Sequence, residues 1–169
     1  MSEITTISHK LGQQLRAKNW TVTTAESCTG GGIATAITEV AGSSGYFDCA
    51  FVTYSNEMKS KLVNVSEQTL ADEGAVSKAV VEQMALGAAK QASANVAIAV
   101  SGIAGPGGGT DLKPVGTVWM AIYCIDTKVS EKTTVWSQCF LFDGDRKSIR
   151  EQTVEAALNK ALELVSENI

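Results

Sequence analysis

Residues 95–100 read Asn-Val-Ala-Ile-Ala-Val, an apolar run of strand length in which nothing polar follows Asn95. A strand with one wet face alternates polar and apolar residues, whereas an unbroken run suits a strand covered on both sides by helices. The rest of the chain supplies those helices. Three- and four-residue spacing of Ile4, Ile7, Leu11 and Leu15 predicts a helix over 4–18. Further helical patterns cover 33–40, 66–73, 77–92, where Val80, Met84 and Ala88 share a face, and 146–165. Ser55 or Asn56 is placed to cap another helix. Strand patterns fall at 21–25, 48–54, 115–125 and 132–142, and glycine and serine interrupt the chain at 41–45. The last two strands, joined by a turn near 126–130, are expected to be antiparallel. Strands and helices alternating early, with a hairpin late, predict a three-layer α/β/α sandwich around a mixed, mostly parallel sheet. A length of 169 residues suits one domain spanning 1–169.

Composition narrows the partners. Fourteen Lys and Arg against eighteen Asp and Glu give a net charge of −4, too little positive surplus for a nucleic-acid face. Aromatic residues make up only 6% of the chain, a poor supply for stacking bases. The first eighteen residues are amphipathic and lack the apolar core of a signal peptide, and no run nears the roughly 20 apolar residues of a membrane span. Cys28, Cys49, Cys124 and Cys139 are isolated, without a CxxC pair, as in reduced cytoplasmic proteins. His9 is the sole histidine and the cysteines do not cluster, so no zinc site is expected, and no DxD-type carboxylate cluster points to magnesium.

Three strand-to-loop junctions end in small and polar residues: 25–32, 54–59 and 101–109. Ligands of open α/β sheets bind beyond the carboxyl ends of the strands, so the three are expected to face one pocket. In the first, Ser27 follows a strand, and Thr29 and three glycines lead into a helix. Such a turn presents a nucleophile together with backbone N–H donors; the same residues also suit a plain helix cap. In the second, a helix starting at Asn56 puts Lys59 on its first turn. The helix dipole and burial both lower the pKa of an amine there and make it a base; a solvated surface lysine fits the same position, as it does Lys61. The third junction, Ser101-Gly102-Ile103-Ala104-Gly105-Pro106-Gly107-Gly108-Gly109, is neither a P-loop nor a GxGxxG. It suits backbone contacts to a phosphate or ribose, or an open surface loop. Lys113 and Arg146 are the candidate phosphate partners, and Arg146 is favoured by its place at a helix start.

A nucleophilic serine needs a base. His9 lies in the first helix, away from every strand end, which argues against a Ser-His-Asp triad. Lysine, with or without relay through Tyr54, is the base that remains.

The segments Thr24-Ala25-Glu26-Ser27-Cys28-Thr29-Gly30-Gly31, Val52-Thr53-Tyr54-Ser55-Asn56-Glu57-Met58-Lys59, Gly74-Ala75-Val76-Ser77 and Ser101-Gly102-Ile103-Ala104-Gly105-Pro106 resemble the CinA C-terminal domain family. So do Lys113-Pro114-Val115-Gly116-Thr117-Val118-Trp119 and Gly144-Asp145-Arg146. These motifs cover nearly the whole chain, in order, and no extra N-terminal domain is expected before them. The resemblance therefore implies the stand-alone amidohydrolase of the family. That form converts nicotinamide mononucleotide to nicotinate mononucleotide and ammonia in bacterial NAD recycling, without a cofactor. It implies Ser27, Tyr54 and Lys59 as catalytic residues. The substrate is expected to touch Glu26, Thr29, Gly30, Gly31 and Asn56, then Gly102, Ile103, Ala104 and Gly105, with Arg146 on the phosphate. Two alternatives stay open: a nucleotide-binding regulatory module of the same fold without turnover, and a Ser–Lys amidase acting on another amide. A homo-oligomer, most simply a dimer, is expected from a free sheet edge or an Ala-rich helix.

Overall fold

A computed structural model describes residues 1–128 and 132–167. Helix α1 (Glu3–Lys18) starts at Ser2, whose hydroxyl accepts from the Thr5 amide, and ends at a left-handed Asn19. Strand β1 (Val22–Glu26) is buried throughout and passes through a glycine turn into α2 (Gly32–Thr38). Next come β2 (Phe51–Val52), α3 (Asn56–Val63), α4 (Glu67–Glu73) and α5 (Lys78–Ala92). The apolar run becomes β3 (Val96–Gly102), followed by the long hairpin β4 (Thr117–Asp126) and β5 (Lys132–Leu141), and α6 (Arg146–Glu167) closes the fold.

The sheet order is β2-β1-β3-β4-β5. Strand β1 pairs parallel with β2 and β3, while β4 runs antiparallel to both β3 and β5. Among the described residues, four of the five strands therefore point the same way and β4 is reversed. The mixed, mostly parallel sheet is as expected, and β5 forms an outer edge. Of the turn expected near 126–130, residues 129 and 130 lie outside the described residues.

One expectation shrinks. The strand predicted over 48–54 is only two residues long, although the chain does follow the edge of β1. Thr23 takes the Cys49 carbonyl with its side chain, and the Thr53 amide reaches the Glu26 carbonyl at 2.9 Å. A side-chain bond stands in for one rung of the ladder, so the segment hugs the edge without being a regular strand.

The two faces of β3 build different layers. Val96, Ile98 and Val100 pack with Leu11, Leu15, Ile37, Leu158 and Val165 from α1, α2 and α6. Ala97 and Ala99 face Val80, Met84, Ala85 and Ala88 of α5. Small residues on this second face let α5 lie close to the sheet. Its Gly87 meets α3 so closely that an added Cβ would fall on the Val63 carbonyl oxygen. Val63 ends α3, the helix that carries Lys59. Each fully buried Val, Leu or Ile here contributes roughly 1.5–3 kcal/mol relative to exposure. That packing holds the helix bearing Lys59 against the end of β1.

Candidate active site

Ser27 leaves β1 with its amide bonded to the Val100 carbonyl at 3.1 Å, and its own carbonyl accepts from Gly30 N–H at 3.1 Å. Gly30 and Gly31 follow with φ of 59° and 100°, left-handed values that glycine adopts at least cost. The chain thus turns sharply and presents the Ser27 side chain to the cleft at the strand end.

The turn is anchored from behind by Glu26, which is fully buried. Its Oε1 accepts from the Thr29 hydroxyl at 2.6 Å and the Ile33 amide at 2.8 Å. Its Oε2 accepts from the Thr24 hydroxyl at 3.1 Å and the Ala34 amide at 3.0 Å. Four donors thus satisfy both oxygens of the buried carboxyl group. The Glu26 carboxylate and the Thr29 hydroxyl, both expected on the substrate, are thus taken up inside the turn, while the Thr29 amide keeps no backbone acceptor among the described residues. Their side chains bind each other behind the serine, because the short turn points the carboxylate at the free amides that open α2.

Lys59 lies on the first turn of α3, as its spacing predicts, and Ser55 caps that helix by accepting from the Met58 amide. Its side chain is 1% exposed. Nζ lies 3.1 Å from Ser27 Oγ, 2.9 Å from the Thr53 carbonyl and 3.3 Å from the Tyr54 carbonyl. Burial pushes the amine below its ordinary pKa, with the neighbouring Cys28 acting weakly the other way. Burial also pushes the Cys28 thiol up to about 11, which keeps it protonated and makes it a poor rival nucleophile.

Tyr54 meets Lys59 differently from the expected relay. Its backbone carbonyl faces the amine, while its phenol, on a largely exposed side chain, accepts from Arg146 Nη2 at 3.0 Å. Arg146 also donates from Nη1 to the Gly105 carbonyl at 2.8 Å. One guanidinium thus ties the second junction to the third.

All three junctions border one cleft of about 230 Å³. Of the expected residues, Ser27, Tyr54, Asn56, Lys59, Gly102, Ala104 and Arg146 line it. Ile103 stands behind, its amide on the Thr117 carbonyl and its carbonyl on the Gly116 amide. Gly105 takes part through its carbonyl bond to Arg146, and Gly30 and Gly31 shape the turn. Cys28, Ala75, Val76 and Ser101 also line the cleft and were not singled out as site residues. Ala75 and Val76 sit inside a quoted motif, but nothing in their chemistry marks them; only the approach of the α4–α5 connection to β3 brings them in. His9 is exposed on α1, far in the chain from every junction.

The model of the CinA C-terminal domain matches residues 4–165. The chain belongs to that family. A nicotinamide-nucleotide amidohydrolase PncC of Shigella flexneri is 52% identical over 157 residues, covering 93% of this chain and 92% of that protein. Its namesake in Pseudomonas putida is 50% identical over 167 residues, covering 99% and 100%. The solved structure of competence/damage inducible protein CihA from Agrobacterium tumefaciens superposes with a TM-score of 0.91 at 41% identity, covering 97% of this chain and 96% of that one. Among the described residues, no helix of this CinA-family chain is long and apolar enough to cross a membrane.

Proposed function

We propose that this CinA-family chain hydrolyses the carboxamide of nicotinamide mononucleotide, releasing nicotinate mononucleotide and ammonia, with Ser27 as nucleophile and Lys59 as its base. The observation that carries the reading is the placement of Lys59 Nζ between Ser27 Oγ and two backbone carbonyls. A neutral amine has two N–H bonds and one lone pair. The Thr53 and Tyr54 carbonyls take the two hydrogens, which turns the lone pair towards the Ser27 hydroxyl. An amine kept below its ordinary pKa by burial is a base suited to that proton.

Ser27 Oγ attacks the amide carbon as its proton passes to Lys59, giving a tetrahedral oxyanion. The amides of Gly30 and Ile103 already have protein acceptors, so the oxyanion falls to the Cys28–Thr29 turn or the Ala104–Gly105 loop. Lys59 then returns the proton to the departing nitrogen, and ammonia leaves. Water, deprotonated by the same amine, attacks the acyl-serine and frees the acid. Tyr54 and Asn56 border the ring end of the substrate. Arg146, whose guanidinium reaches the mouth of the cleft, meets the phosphate. The names of the relatives at 50% and 52% identity support the substrate class.

The test is ammonia release from nicotinamide mononucleotide by the purified chain, beside nicotinamide riboside. Release from the nucleotide and far less from the riboside supports the reading. Equal turnover of both removes the phosphate from recognition and favours a general Ser–Lys amidase. Tight nucleotide binding without release favours a regulatory module.

A further inference from the structure

Arg150 lies one helical turn beyond Arg146 on α6 and points at the back of the serine turn. Its Nε donates to the Cys28 carbonyl at 3.1 Å and its Nη2 to the Thr29 carbonyl at 3.1 Å. These carbonyls belong to the Cys28–Thr29 and Thr29–Gly30 peptide units, the second and third after Ser27. We propose that Arg150 is a positioning residue for the reaction, setting and polarising the backbone donors that face the oxyanion. The proposal rests on Ser27 being the nucleophile.

In a trans peptide the N–H points opposite to the C=O. Holding the Cys28 and Thr29 carbonyls outwards turns the N–H groups of Thr29 and Gly30 inwards. The Gly30 N–H then reaches the Ser27 carbonyl, as observed. The Thr29 N–H has no backbone acceptor among the described residues. It is left as a donor on the serine side of the turn. A guanidinium on the carbonyl oxygens draws electron density out of the same peptide groups and strengthens their N–H donors, an effect that grows in a site shielded from water. Glu26 anchors the turn through side chains and the α2 amides; Arg150 orients its peptide planes. The two meet at Thr29, Glu26 on its hydroxyl and Arg150 on its carbonyl.

The outer side of the turn opens on a groove of about 560 Å³, larger than the cleft and lined by Thr29, Gly32, Arg150 and Val154 among others. Truncating Arg150 therefore leaves a slot that joins the groove and admits free guanidinium. A side chain that merely supported the fold would lower stability when removed. It would show neither a kcat-specific defect nor chemical rescue.

The experiment uses Arg150→Ala, Arg150→Lys and Ser27→Ala in the full chain, with Lys147→Ala, an exposed neighbour on α6, as control. Arg150→Ala is expected to lower kcat about 100-fold, the scale of one lost oxyanion donor, while KM changes less than about threefold. Arg150→Lys should recover part of that loss, and millimolar guanidinium should restore Arg150→Ala but not Ser27→Ala. Lys147→Ala should match the wild type. Wild-type kcat in folded Arg150→Ala overturns the proposal, as does a rise in KM alone, or a loss that tracks melting temperature and ignores guanidinium. If Arg150→Ala fails to fold, Arg150→Lys decides: lowered kcat at an unchanged melting temperature upholds the proposal, and wild-type kcat overturns it. Full activity in Ser27→Ala removes the underlying reading instead, a pattern distinct from every Arg150 outcome.

Discussion

Glu26, Ser27 and Lys59 are 0%, 8% and 1% exposed, whereas Tyr54 across the same cleft is 59% exposed. The buried group is held from several sides: four donors on Glu26, two carbonyls and a serine on Lys59. The exposed group is held by little more than the bond between Tyr54 and Arg146 and that from Arg146 to Gly105. Exclusion of water at the inner wall is what lowers the pKa of an amine and lets a serine proton move to it. A wetted rim has no such power, because solvent screens its charges and supports any protonation state. Under the proposed function, bond chemistry belongs to the wall and choice of substrate to the rim.

The largest effects should come from the wall. Ser27→Ala and Lys59→Met are each expected to cut kcat on the order of 10⁴-fold, read as ammonia release at saturating substrate. The wild-type rate should rise with pH as Lys59 loses its proton, through a pKa below the ordinary 10.5. Stability should rise in the same direction. The folded pKa is lowered, so between it and the ordinary value the unfolded chain holds the proton more tightly, and unfolding becomes costlier as pH increases. Lys59→Met should abolish that rise in the denaturation midpoint; its persistence would assign the pH dependence to another group.

Glu26→Ala tests whether the wall is an assembled unit. It strands two backbone amides and two hydroxyls, and should lower unfolding free energy by about 3 kcal/mol in a urea titration. A loss below about 1 kcal/mol would mean that the turn holds without its anchor. Arg146→Ala should raise KM for the phosphorylated substrate about tenfold with kcat nearly unchanged, and leave the riboside unaffected. A kcat defect of the Lys59→Met size would move Arg146 into the wall. Tyr54→Phe removes one exposed hydrogen bond and is expected to cost about threefold or less in kcat/KM. A loss comparable to Lys59→Met would show the phenol acting in proton transfer and break the distinction between wall and rim.

Much of this was legible in the chain because it is local. The apolar run became the central strand, the junctions after β1, β2 and β3 meet at one cleft, and the cap at Ser55 put Lys59 on the turn its spacing predicts. The shortfalls are non-local. The edge strand is shorter than the pattern at 48–54 predicts, since nothing in that segment shows that the distant Thr23 takes the Cys49 carbonyl in place of a ladder bond. Glu26 was expected in the pocket because it adjoins Ser27, yet the amides that claim it open a helix six residues later. Ala75 and Val76 carry no chemical mark at all.

Local periodicity and capping determine which residues form each element and which face of a helix turns inwards, because those depend on dihedral preferences and on neighbours three or four residues away. They therefore determined the fold class, the candidate serine and the lysine. Only the packed molecule decided that the Tyr54 phenol goes to Arg146, that Glu26 points away from the cleft, and that Arg150 reaches two carbonyls more than a hundred residues earlier in the chain. Those pairings follow from how α3 nests on α5 at Gly87 and how α6 lies across the serine turn. Close packing between distant segments sets them, and no short window of sequence contains both partners.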